Sequence, residues 1–149
     1  MRSAYRVLAY LIPVLVTVQA AVIAFGQFGI ESWVSDDNSY TEQVQSSGDA
    51  TGALGIALHS VIGSMVIPLV ALVLLVVAFL AHVPGGVKAA AFVLLAVVVQ
   101  ILLAVLASNV PAVGLLHGVN AFVIFGLAMM AGQRAAAPAG IDTSSPRLG

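Results

Sequence analysis

The sequence predicts an all-α fold, a four-helix transmembrane bundle running up-down-up-down with both termini cytoplasmic. Three observations carry that reading. Hydrophobic residues make up 61% of the chain and charged residues 7%, with a mean hydropathy of +1.12, whereas a soluble domain carries about a quarter charged residues. Four apolar runs, each near or above the roughly 20 residues a spanning helix needs, are separated by polar or turn-forming segments. All five basic residues (Arg2, Arg6, Lys88, Arg134 and Arg147) fall on one side of such a topology, and five of the six acids fall on the other. Because cytoplasmic loops collect Lys and Arg, the termini are expected inside.

The first run covers about residues 7–27. Arg2 and Arg6 before it resemble a signal-peptide n-region, but the run outlasts the usual 7–15-residue apolar core of a signal peptide, so it reads as a retained helix that Pro13 can kink. Residues 31–50 follow as an acidic outer loop, with Glu31, Asp36, Asp37, Glu42 and Asp49 among serines. Asp36-Asp37-Asn38 lacks the regular ligand spacing and the glycine of a calcium loop, and Trp33 suits an interfacial anchor. The second run is 53–81, with Thr51 as expected N-cap and Pro68 freeing the Ser64 carbonyl, which predicts a bend. His82 to Gly86 form a turn. The third run is 89–107, and the fourth is 111–133 with Pro111 in its first turn. Residues 135–149, small and proline-containing, read as a disordered cytoplasmic tail. The bundle is thus one domain over 1–134.

Composition removes several function classes. There is no cysteine, hence no disulfide, thiolate metal site or cysteine nucleophile. A net charge of -1 leaves no footprint for nucleic acid. No acid lies inside an apolar run, so a proton relay or cation pathway through a membrane carboxylate is not built. Neither a hydrolase nor a nucleotide-binding motif occurs, and an enzyme is not the expectation.

What remains is histidine. Gly55, His59 and Gly63 are four apart and share one helix face, a flattened strip with a single imidazole in it. Gly114, His117 and Gly118 repeat the layout in the fourth run. A titratable group within a membrane span must be hydrated, paired or bound. Val18-Gln19 also matches Val99-Gln100, and Leu58-His59 matches Leu116-His117. Two helix pairs related by an axis along the membrane normal would turn His59 and His117 toward each other. In a square bundle the second and fourth helices are diagonal, with axes roughly 13 Å apart given neighbour spacings of 8–10 Å. That gap suits a flat cofactor with one imidazole on each face of its metal, and Gly55, Gly63, Gly114 and Gly118 let the ring approach the backbone. Against this, counting to the apparent cytoplasmic edges at His82 and Gln133 offsets the two histidines by about 10 Å of helix. In the other reading, each histidine bonds a backbone carbonyl, a serine or Asn120 in a cofactor-free bundle whose glycines only close-pack. His82, at the far end of its helix, belongs to neither site.

Residues 53–132 resemble one four-helix half of heme A synthase, on Leu58-His59, Gln100-Ile101-Leu102-Leu103-Ala104 and Leu116-His117. The resemblance implies His59 and His117 as axial ligands of one heme b. The family's glutamate three residues before the first histidine is Ile56 here, its following arginine is Ser60, and its cysteine pair is missing, so oxygenation of a heme methyl is not implied. The whole chain also resembles an uncharacterised actinobacterial family of small four-helix membrane proteins. The expectation is therefore a multi-pass protein of a bacterial plasma membrane with a heme b held by His59 and His117 for electron transfer, sensing or heme handling. Gln100 and Asn120 are candidate outer partners of the ligands. The alternative is a cofactor-free accessory subunit that packs on another membrane protein, or on a second copy, through small residues.

Overall fold

In a computed structural model, which describes residues 1–136, the described chain is built from helices without a strand, as the hydropathy pattern requires. Four of them are long and apolar enough to cross a membrane: Arg2–Ser35, Ala53–Ala81, Gly86–Ala107 and Val113–Ala135. With no water in the bilayer core to satisfy exposed backbone groups, helices keep those bonds within each span. The protein is a multi-pass membrane protein.

The first span, α1 (Arg2–Ser35), is longer at both ends than the apolar run. Pro13 lies inside it without ending it, and the Thr17 hydroxyl donates to the Pro13 carbonyl at 2.9 Å. The acidic segment 31–50 is accordingly not one loop. Residues 31–35 finish α1, with the Ser35 hydroxyl bonded to the Glu31 carbonyl at 2.8 Å. The helix stops where Asp37 takes a positive φ of 61° and Asn38 donates back to the Trp33 carbonyl. A short α2 (Glu42–Ser47) follows, started by the Thr41 hydroxyl accepting from the Val44 amide and ended by Gly48 at φ 78°. A good cap and a glycine stop outweigh the polar composition that reads as loop.

The second span runs α3 (Ala53–Val61), a π-helical turn (Ile62–Val66) and α4 (Ile67–Ala81). Its N-cap is Gly52 at φ 92°, not Thr51, because an added Cβ on facing Gly29 would lie 2.6 Å from the Gly52 Cα; the two backbones touch and leave no room for a side chain. The bend expected at Pro68 is expressed as the π turn just before it, where the Ile67 amide reaches the Ile62 carbonyl. His82 ends the span in the left-handed conformation, φ 50°, with Nδ1 on the Leu80 carbonyl at 3.0 Å. Gly85, at φ 67°, opens α5 (Gly86–Ala107), three residues earlier than the apolar run. The fourth span, α6 (Val113–Ala136), starts after Pro111 rather than on it. It includes Ala135 and Ala136, which sequence assigned to the tail; the rest of that tail lies outside the described residues.

α1 packs against α3, α4 and α6, and α5 packs against α4 and α6, so the second and fourth spans stand diagonally. The core lies among all four spans but only in the half of the bundle's length nearest Tyr5 and Gly86. Tyr5, Ile12, Leu74, Val93 and Ile124 are fully or almost fully buried there, with Ala9, Ala78, Ala90 and Ala128 between them. Lipid is as apolar as these side chains, so close approach through small residues, rather than escape from water, holds the helices together. The buried Tyr5 hydroxyl donates to the Gly86 carbonyl at 3.0 Å and ties the starts of α1 and α5. The half carrying the acidic segment is packed differently. There α3 is pressed onto α1 through Gly26, Gly29, Gly52 and Gly55, all buried, and the space between that pair and α5–α6 is left unfilled.

Candidate functional site

Gln19 in α1 and Gln100 in α5 each lie about 21 Å of helix beyond the Tyr5–Gly86 tie, which brings them to one level in the unfilled half. Each meets a histidine from the helix that follows it. His59 Nδ1 lies 3.2 Å from the Gln19 carbonyl oxygen, and His117 Nδ1 lies 3.2 Å from the Gln100 carbonyl oxygen. A carbonyl can only accept, so both rings carry their hydrogen on Nδ1 and keep Nε2 as the free nitrogen. The repeated pairing is thus the same contact made twice.

The side chains around the two pairs differ. The Gln19 amide donates to the His59 carbonyl at 3.0 Å, so Gln19 holds His59 at two points. Opposite, Asn120 donates to the Gln100 amide oxygen at 2.7 Å and to the Ala96 carbonyl at 2.9 Å. Gln19 is only 8% exposed, and its Oε1 has no hydrogen-bond partner among the described residues.

The imidazoles face a cavity of about 670 Å³, within the range of small-molecule and cofactor sites. Its walls come from all four spans, with Ile23, Val97, Ala104, Ala121 and Phe125 supplying apolar surface. The Thr17 and Ser64 hydroxyls also line it, but each donates to a carbonyl of its own helix, Pro13 and Ser60 respectively. They therefore offer the cavity only lone pairs, whereas the Ser60 hydroxyl and the Gln100 amide, also in the lining, bring donors to it.

The ring centroids of His59 and His117 are 6.4 Å apart and their planes are inclined by 57°. The axial offset of about 10 Å counted from helix rise is therefore absent. Some of it is taken up because α6 runs on to Ala136, and some because the wider π turn spends residues with less rise. Gly63 and Gly118 line the cavity with the histidines. Gly55 does not: a Cβ there would sit 2.5 Å from the Val22 carbonyl and 2.6 Å from the Gly26 amide, so this glycine is required by α1, and its assignment to a ring's face is corrected. His82 lies outside the cavity. Sequence reasoning passed over Gln19, Thr17, Ser60 and Ser64 as lining residues. The matched glutamine–histidine pairs were the one signal that pointed to Gln19.

Among the described residues, no group of three or more His, Cys, Asp or Glu converges as a metal site. No protein-family model, curated protein or solved structure matches the chain.

Proposed function

We propose that the protein binds one b-type heme between His59 and His117 and uses it for electron transfer, sensing or heme handling. The observation that carries this reading is the 6.4 Å ring separation. Two metal–nitrogen bonds of about 2 Å each, plus about 1 Å from each nitrogen to its ring centre, put trans imidazole centroids roughly 6 Å apart. The donor set favours a macrocycle over a bare ion. Only two protein ligands converge among the described residues, so the other positions on the metal have to come with the group itself. When bound, heme supplies reversible one-electron chemistry at iron.

The chain's own residues do the rest. The Gln19 and Gln100 carbonyls hold both rings in the Nδ1–H tautomer and make Nε2 the better donor, the usual work of a hydrogen bond behind a histidine ligand. Gly63 and Gly118 leave space beside the rings, and the apolar walls keep water from the metal. Among the described residues, no Lys or Arg lines the cavity, so the carboxylates of the porphyrin have to find water or lipid headgroups beyond it. With the basic ends of the spans inside a bacterial plasma membrane, the site lies in the outer half. Ligation of the iron on both faces disfavours oxygen activation.

The test is the absorption spectrum of purified protein reconstituted with hemin and then reduced. A sharp six-coordinate low-spin b-type spectrum is expected. It should be abolished or converted in His59→Ala and His117→Ala, and unchanged in His82→Ala, with size-exclusion profiles showing that all three fold. A folded protein that takes up no heme would leave the cofactor-free accessory subunit as the reading.

A further inference from the structure

The two halves of the site are fastened with unequal strength. On the His59 side, Gly52, Ala53 and Gly55 are buried around the start of α3, and the Gly55 backbone abuts Val22 and Gly26 of α1 closely enough to exclude even a methyl group. His59 itself is held at its ring by the Gln19 carbonyl and at its backbone by the Gln19 amide. On the His117 side, α6 begins only at Val113, and its first buried residue is Ile124. Cβ atoms added at Gly114 and Gly118 would meet nothing within 4 Å. Leu115 and Phe122 are 75% and 81% exposed. Asn120 pins α6 to α5 through Gln100 and Ala96. Outward of that pin, the described side-chain bonds leave one tether to α5, from His117 Nδ1 to the Gln100 carbonyl. The outer turns of α6, which carry His117, thus have fewer side-chain fastenings than the start of α3.

Resting on the heme reading above, we infer that His59 is the permanent ligand and His117 the exchangeable one, so that a small uncharged molecule with affinity for ferrous iron takes the position opposite His59. The class of ligand follows from the surroundings. Among the described residues, the cavity has no cationic side chain to hold an anion, its walls are apolar, and a neutral diatomic dissolves in the bilayer that surrounds it. Displacing the His117 ring breaks one described side-chain hydrogen bond, to the Gln100 carbonyl. Releasing His59 would require separating a pair of helices in backbone contact. Local stability of this uneven kind marks which elements move when a ligand binds.

Carbon monoxide is the probe, added to the reduced, heme-loaded full chain in detergent. Wild type should convert from the low-spin six-coordinate spectrum to a carbonyl adduct. His117→Ala should retain heme as a five-coordinate high-spin species, while His59→Ala should lose most of its heme on gel filtration. Hydrogen exchange on the heme-free chain reads the same asymmetry without the cofactor: amides at His117–Val119 should exchange at least about tenfold faster than those at His59–Val61. Wild type that keeps its bis-histidine spectrum and forms no carbonyl adduct under saturating carbon monoxide, equal heme retention by the two alanine variants, or equal exchange at the two histidines would each overturn the inference while leaving the heme reading intact. Failure of every preparation to take up heme would remove both.

Discussion

Gln19 and Asn120 show how much a single amide decides here. Replacing Gln19 by Leu removes the donor to the His59 carbonyl but also removes an acceptor with no partner among the described residues, and the two changes oppose each other. The Gln19 backbone carbonyl stays, so the His59 tautomer survives. We expect a stability change within about 1 kcal/mol. Asn120→Leu has no such compensation, because it strands the Gln100 amide oxygen and frees the Ala96 carbonyl. It should cost about 1–3 kcal/mol, read as a lower denaturant midpoint in detergent. The glycines separate in the same way. Gly55→Ala drives a methyl into the α1 backbone and should cost about 1–3 kcal/mol or more, as overpacking does. Gly118→Ala meets open space and should be neutral or stabilising by up to about 1 kcal/mol, the helix-propensity difference. Sequence could not tell these two apart. Each lies within about a turn of a histidine, and spacing shows which residues share a face but not whether that face meets a cavity or another helix.

At the level of the element, the π turn positions His59. The second span has to satisfy two neighbours: its α4 half packs in the core against α1 and α5, while its α3 half lies on α1. Ile62–Val66 connects the two with one residue more than an α-helical path would use, the usual origin of a π bulge. Pro68 was legible as a disturbance, since it cannot bond to the Ser64 carbonyl. The form of the disturbance was not, because the choice between a kink and a widened turn depends on tertiary contacts on both sides. Deleting Met65, which points outward within the turn, should return the span to continuous α-helix with His59 still facing the cavity. Deleting Ala57 should instead rotate the residues before it by about 100° relative to His59, pulling the α3 glycines off α1. We expect the Met65 deletion to keep a wild-type melting profile and the Ala57 deletion to lose folded protein, both measured by size exclusion and circular dichroism.

For the whole molecule, the hydropathy runs located the spans because lipid imposes length and apolarity on every crossing helix. Their ends were misjudged where local chemistry rules: at the capped α2 and in the polar last turns of α1. The diagonal arrangement followed from helix order, and the histidine pairing from the repeated Gln–His match, but the one-sided core did not. Its location depends on which alanines and glycines face inward, and in this composition nearly every face has them. Sidedness is the remaining large-scale expectation, and charge decides it. Arg2, Arg6, Lys88 and Arg134 all belong to the end of the bundle where Tyr5 meets Gly86, whereas Glu31, Asp36, Asp37, Glu42 and Asp49 belong to the end where α1 passes into α3. Since basic rather than acidic residues govern insertion, replacing the acids in α2 and its flanks should not invert the protein, and none of the residues in α2 is buried. A reporter active only in the cytoplasm should therefore work when fused after Gln133 and fail when inserted at Gly48, both in wild type and with Asp36, Asp37, Glu42 and Asp49 replaced by Ser. Moving positive charge across the bundle, by Lys88→Glu together with two lysines inserted at Gly48, is the change that should weaken the orientation. A fusion after Gln133 that reports from outside in the unaltered protein would reverse the sidedness and put the histidine cavity in the cytoplasmic half.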